Sequence, residues 1–267
     1  MTSTSTTSQL VVTHDGPVMV ITFARADVMN AMTAEMAAGY AAALRAADAD
    51  PEVCAVVVTG AGRAFCAGAD LAVISQGPAA IREFVPTRND LPTVAFRIRK
   101  PVICAVNGAV AGVGMAYMMA SDIRFVAAEA KISTSFARLG LVAEYGLSWI
   151  LPRVIGAGWT LDLLLTARTI TGEEAGRIGL AQYVSPSESV LADALAYAHS
   201  VATTSAPASM AAAKKQVYAD LDDSHDDALV HTLAMMDHSF DSPDVADALD
   251  AYPSRRAPVF QPLPSLD

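Results

Sequence analysis

Two glycine-bearing segments carry the residue types best suited to chemistry. Gly112-Val113-Gly114 follows a β-branched run and opens a helical pattern. Such a turn can aim unpaired backbone N–H groups at the start of a helix, where negative charge is stabilised. A dinucleotide-binding turn, G-x-G-x-x-G/A, would need a small residue at 117, and Tyr117 stands there. No acidic residue follows a second strand at the required distance, so that reading fails. What remains is an anion-stabilising turn or a turn where helix and strand pack closely. The second segment runs from Gly62 to Leu71, with small residues at Ala64, Ala67, Gly68 and Ala69. Small side chains let a ligand lie against the backbone and use its N–H groups.

The elements that must hold these turns are legible as apolar runs. Leu10 to Thr13 and Val18 to Phe23 are expected as strands, joined by His14-Asp15-Gly16-Pro17. Ala31 to Ala49 is expected as a helix with Thr33 as N-cap and Glu35 in its first turn. Ala55 to Thr59 is a continuous apolar, β-branched run, as for a strand buried on both faces; Val102 to Val106 is expected as the next buried strand and Ile123 to Ala127 as a strand again. Gly112 to Ala120 is the helix after the first turn. Residues 73–99 hold Gly77, Pro78, Pro86 and Pro92 and are expected as an irregular segment around short helices. From about Gly156 the pattern turns helical: Trp159 to Ala167, Gly172 to Ile178, Ser187 to Val201, Ala208 to Leu221, His225 to Phe240 and Pro243 to Ala251. Pro101 to Ala120 is apolar over twenty residues, a bilayer-spanning length. Asn107, Gly108, Gly112 and Gly114 break it into a buried strand, a turn and a buried helix.

Composition narrows the function classes. With 267 residues the chain fits one large or two small domains. Lys plus Arg is 18 and Asp plus Glu is 28, a net charge of −10. That balance argues against partners rich in phosphate, whether nucleic acid or an anionic membrane surface. Cys54, Cys66 and Cys104 lack metal-ligand spacing and read as reduced thiols of a cytoplasmic protein. His231 and His238 share a helix face without a third ligand, so no metal site is expected. Met1 to Ser8 is a Ser/Thr tract expected to be a disordered tail.

Taken together, the motifs identify a resemblance. The chain resembles the crotonase family, the enoyl-CoA hydratase/isomerase superfamily, from about Leu10 to Phe260. The resemblance rests on Arg63 to Leu71, on Lys100-Pro101-Val102-Ile103 leading through Asn107-Gly108 to Gly114, and on Ser121-Asp122-Ile123. Leu151-Pro152-Arg153-Val154-Ile155-Gly156 and Arg255 to Phe260 extend it. It implies an α/β fold, a crotonase-type spiral of repeated ββα units with a C-terminal helical trimerisation region. On this reading residues 9–204 form the spiral core with an acyl-CoA site. Residues 205–267 form the helical oligomerisation region and an irregular tail. The implied substrate is an acyl-CoA thioester, with coenzyme A entering as part of it and no other cofactor. The implied assembly is a homotrimer or a dimer of trimers. The resemblance puts an oxyanion hole at the N–H groups of Ala69 and Val113. It puts CoA contacts at Ala26, Ala64, Ala67, Gly68, Ala69, Asp70, Leu71 and Gly112.

One departure from the family pattern bears on the reaction. The resemblance puts the two glutamates of the family's hydratases at Ala116 and Phe136, and neither can move a proton. Several isomerase branches carry a catalytic carboxylate at a position that falls here on Glu144. A double-bond shift needs one base that takes a proton from C2 and returns it to C4, so one carboxylate with an oxyanion hole suffices. Val142, Ala143, Leu147 and Trp149 are expected to make its neighbourhood apolar and raise its pKa. The competing reading is a glutamate that caps a turn or pairs with Arg153. The activity implied is therefore an enoyl-CoA isomerase, with a hydratase or a non-catalytic acyl-CoA binder as alternatives.

Overall fold

The structure, a computed structural model, describes residues 2–7 and 9–265. Its strands are β1 (Thr2–Thr7), β2 (Leu10–Asp15), β3 (Val18–Phe23), β4 (Ala55–Gly60), β5 (Ala64–Cys66), β6 (Val102–Val106), β7 (Ala109–Ala111), β8 (Ile123–Ala127), β9 (Lys131–Ser133), β10 (Ile170–Thr171) and β11 (Tyr183–Ser185). Its helices are α1 (Ala34–Ala49), α2 (Leu71–Ile74), α3 (Pro78–Phe84), α4 (Val113–Met119), α5 (Leu147–Thr166), α6 (Gly172–Arg177), α7 (Val190–Thr204), α8 (Pro207–Asp220), α9 (His225–Phe240) and α10 (Pro243–Ser254). Pro92–Arg97 and Phe136–Leu139 form 3₁₀ turns.

The strands divide into two sheets. One has the order β1-β2-β3-β4-β6-β8-β11 and the other β10-β9-β7-β5. Successive strands alternate between them: β4, β6 and β8 pair in parallel in the larger sheet, while β5, β7 and β9 pair in parallel in the smaller. Each turn of this spiral thus adds one strand to each sheet. The central strands β4 and β6 are almost wholly apolar because both faces of the larger sheet are covered. Val18, Val20, Ala55, Val57, Ile103 and Ala105 pack with Val190, Ala194 and Ala198 of α7. The alternate residues Met19, Ile21, Val56, Val58, Val102 and Cys104 face the main core with α1 and α4.

Two expectations need correction. Thr2–Thr7 lie within the expected tail but form an edge strand antiparallel to β2. Threonine is β-branched and suits a pleated edge, and β2 would otherwise leave its own edge open. Met1 and Ser8 of that tail lie outside the described residues. The helix expected from Trp159 begins at Leu147. Gly156 inside it has φ +73 and ψ 161, which makes a kink within this longer element. The strands β5, β7, β9, β10 and β11 have two or three residues each, too few for the sequence to show a period.

The C-terminal helices are joined to the core by a partly buried polar cluster. Lys214 of α8 meets Asp122 at 2.7 Å and also donates to the carbonyls of Ala95 and Lys100. Asp122 accepts from Tyr218 Oη and from the Val102 N–H. No residue of α9 is buried. Leu229, Val230, Leu233, Met236 and Phe240 all remain exposed on it.

Candidate active site

The site begins at the ends of two neighbouring strands. β5 and β7 pair in parallel, so the turns that follow them, Ala67 to Asp70 and Gly112-Val113, emerge side by side. Ala69 makes an isolated parallel bridge with Met32. In that bridge the Met32 N–H donates to Gly68 O at 2.7 Å and the Asp70 N–H donates to Met32 O at 3.0 Å. The N–H of Ala69 itself therefore points to the other side of the strand. Among the described residues, nothing accepts a hydrogen bond from the N–H of Ala69 or of Val113. Val113 is the first residue of α4, where a helix leaves its N–H groups unpaired.

Two backbone features fix this arrangement. Gly68 has φ +114 and Gly112 φ +51, conformations that L side chains rarely adopt. Gly114 lets α4 settle directly on β5, because a Cβ there would lie 2.1 Å from the Cys66 carbonyl oxygen. Beside the first turn, Asp70 accepts from the Ala72 N–H at 2.8 Å and pairs with Arg25 at 2.8 Å. These contacts, the Ala72 bond first, hold its carboxyl below the usual range. Asp70 thus locks the turn.

Ala69 and Val113 line a cavity of about 430 Å³. Ala67, Gly68, Ala111 and Gly112 form one wall. Ile74, Val85, Phe136, Leu139 and Leu141 form the apolar remainder, together with Ser135, Arg138, Glu144 and Tyr145. Glu144 is half-buried there, and burial pushes its carboxyl above the ordinary glutamate range. Among the described residues, no basic side chain lies within ion-pair distance of it. Arg153, the pairing candidate, instead meets Asp222 at 3.2 Å and stacks over Trp149 at 4.0 Å. The apolar surroundings of Glu144 also differ from those expected. Val142 is 79% exposed, and the cavity's hydrophobic wall comes from Phe136, Leu139 and Leu141 with Ile74 and Val85.

The chain reaches Glu144 through constrained backbone. Tyr145 has φ +51 and Gly146 φ +78, and the Leu147 N–H donates to Glu144 O at 3.0 Å to start α5. A left-handed conformation is rare for a bulky residue and is held only where the surroundings over-determine it. Ser135, also in the cavity wall, has φ +59. Burial and the nearby Glu144 carboxylate push the Tyr145 phenol up to about 12.

Of the sequence-predicted site residues, the cavity brings together Ala67, Gly68, Ala69, Gly112, Val113 and Glu144. Ala26 lies in the 3₁₀ turn Ala26–Val28, beside Gly62. Ala64 is fully buried in β5, and its carbonyl accepts from Asn30 Nδ2 at 2.7 Å. Neither forms a wall of the cavity, nor does Asp70, while Leu71 opens α2. Ala116 is fully buried on α4, behind the turn, and Phe136 stands in the cavity wall. Arg138 and Ser135 were missed, since neither belongs to a motif. Arg256, near the end of the chain, is held by Asp247 at 2.7 Å and Asp250 at 3.0 Å. The thiols are free, and burial pushes Cys66 and Cys104 up to about 12, so neither is a ready nucleophile. Among the described residues, Asp220, Asp223 and His231 lie close enough together to share an ion, but none of them lines the cavity.

The spiral thus brings Ala69 and Val113, whose N–H groups have no acceptor among the described residues, to the wall of one apolar cavity. The comparisons with known proteins agree. The model of the enoyl-CoA hydratase/isomerase family matches residues 13–262, and the chain belongs to that family. An enoyl-CoA hydratase of Alternaria alternata is 32% identical over 256 residues, covering 92% of this chain and 85% of that protein. The 1,2-epoxyphenylacetyl-CoA isomerase of Escherichia coli is 35% identical over 194 residues, covering 70% of this chain and 73% of that one. Among solved structures, an enoyl-CoA hydratase from Bacillus anthracis superposes with a TM-score of 0.89 at 25% identity. That match covers 95% of this chain and 99% of its own. Among the described residues, no helix is long and apolar enough to cross a membrane.

Proposed function

We propose that this enzyme shifts the double bond of an enoyl-CoA, using Glu144 as its single acid/base. The observation that carries the proposal is that Glu144 shares one apolar cavity with the unpaired N–H groups of Ala69 and Val113. The thioester oxygen of a 3-enoyl-CoA accepts from both N–H groups. The Glu144 carboxylate removes a proton from C2, and the electron pair moves through C2 and C1 onto the oxygen as an enolate. The same carboxyl returns the proton to C4 as the pair moves back, leaving the 2-enoyl-CoA with no water gained or lost. A preorganised donor of this kind contributes about 3 to 4 kcal/mol at the upper end. The raised pKa suits the base to abstraction from carbon.

The CoA portion lies along Ala26, Ala64 and Ala67 to Leu71 on this reading. The working assembly is a homotrimer or a dimer of trimers, supported by the exposed apolar residues of α9 together with Leu161 and Leu165 of α5. A monomer in light scattering at micromolar concentration overturns that assembly. The names of the relatives support a second reading, hydration of a 2-enoyl-CoA. Incubation with 2-enoyl and 3-enoyl thioesters separates the two. The proposal expects 3-enoyl to become 2-enoyl with mass unchanged, whereas rapid appearance of 3-hydroxyacyl-CoA favours hydration. Tight binding without turnover on either ester favours a non-catalytic binder.

A further inference from the structure

The cavity holds a charge that the proposed reaction leaves unused. Arg138 stands in its wall on the 3₁₀ turn Phe136–Leu139. Among the described residues lining the cavity it is the one cation, and its guanidinium has no ion-pair or hydrogen-bond partner. Arg25 pairs with Asp70, Arg153 with Asp222 and Arg168 with Asp162 and Glu174, so what sets Arg138 apart is an unpaired guanidinium in the wall of this cavity.

Its place in the wall indicates what it meets. Arg138 sits with Phe136, Leu139 and Leu141, on the segment that leads to Glu144. The residues proposed for CoA lie on a different segment, Ala67 to Leu71, which has its own cation in Arg25. Arg138 and Glu144 line the same cavity, and among the described residues no ion pair joins them. Base and cation therefore serve different parts of one ligand.

We propose that Arg138 recognises a carboxylate at the far end of the acyl group, making the preferred substrate an enoyl-CoA whose acyl chain ends in a carboxylate. A guanidinium offers paired donors that match a carboxylate in a bidentate contact. This inference rests on the acyl-CoA reading above and names the substrate class within it.

The test compares two short enoyl-CoA esters of equal length, one ending in a carboxylate and one in its methyl ester. Binding is read by calorimetry and turnover by chromatography. The wild type is expected to prefer the carboxylated ester by at least about tenfold in kcat/KM. In Arg138→Gln that preference falls by about 10- to 100-fold, the worth of a hydrogen bond to a charged group. Arg138→Lys recovers part of it. Arg138 is exposed, so the variants are expected to melt with the wild type, which circular dichroism verifies. Equal handling of the two esters by the wild type overturns the proposal. So does a loss in Arg138→Gln that appears equally with free CoA, since the guanidinium would then be reading a phosphate. If neither ester nor free CoA binds the wild type, the acyl-CoA reading fails instead.

Discussion

Gly114→Ala puts the tightest contact in the site under direct strain. The added methyl carbon falls 2.1 Å from the Cys66 carbonyl oxygen, 3.0 Å from its carbon and 3.1 Å from the Cys66 Cβ. Even a close C–H···O contact needs about 3.3 Å between carbon and oxygen, so α4 and β5 must separate by about 1.2 Å. Both obstacles are backbone or Cβ atoms, so no rotamer change relieves them. Forcing an extra methyl group into a packed core costs about 1 to 3 kcal/mol, a fall of about 2 to 10 °C in Tm for a chain of this size. The functional cost is the larger one. The turn after β5 carries the Ala69 N–H and the start of α4 carries the Val113 N–H. A misplacement of about 1 Å costs on the order of 100-fold in rate. The assay is kcat/KM for double-bond shift alongside a thermal melt, with Gly158→Ala as control. Gly158 lies exposed in α5, and a Cβ there meets nothing within 4 Å. The control is expected to match or slightly exceed wild-type stability. A Gly114→Ala variant with wild-type Tm and kcat/KM refutes both the close approach and its role in aligning the two donors.

Val113→Pro removes one donor at the first position of α4, where a missing N–H breaks no helical bond. It is expected to lower kcat by about 100- to 1,000-fold, while Val113→Ala stays near wild type; equal loss in both refutes the backbone role. The rate should rise with pH as Glu144 loses its proton, and because burial raises its pKa, the acid limb should lie above the ordinary glutamate value of about 4.3. The sign for stability is the reverse: the contribution from Glu144 is fully present below its unfolded pKa and is lost as pH rises through its folded pKa. Urea melts across that range should show the loss in the wild type and not in Glu144→Gln. Asp122→Ala strands Lys214, whose side chain is 9% exposed, and should cost about 3 to 5 kcal/mol in urea denaturation. Asp222→Ala, at the 67% exposed end of its pair with Arg153, should cost less than about 1 kcal/mol.

The long apolar strands and the two glycine turns were legible because their signals are local. Val102 to Val106 has no polar position, and Thr33 caps α1 through the Met36 N–H as its residue type suggests. The smaller sheet was not legible, because two- and three-residue strands such as Ala109–Ala111 offer no periodicity to count. The helix expected from Trp159 starts earlier, at Leu147, and passes through the kink at Gly156 because Leu147, Ile150, Leu151 and Ile155 bury against the core on one side. At the site, sequence led to Glu144, Ala69 and Val113. The unpaired Arg138 stayed hidden, since a surface arginine becomes notable only when the fold sets it beside an apolar cavity. The left-handed backbone of Tyr145 was equally hidden, because no propensity predicts a strained aromatic residue.

Solvent-deuterium exchange during turnover of a 3-enoyl-CoA tests the role of Glu144 most directly. With wild-type enzyme in D2O, mass spectrometry should show 2-enoyl-CoA formed with no added water and with deuterium at C4, where the carboxyl has exchanged its proton with solvent before returning it, and at C2 only after reversal. Glu144→Gln is nearly isosteric and leaves the N–H groups of Ala69 and Val113 in place. It should bind the ester with little change while losing at least about 100-fold in both isomerisation and exchange. A glutamine variant that shifts the double bond and exchanges deuterium at the wild-type rate would contradict the assignment of Glu144 as the proton carrier.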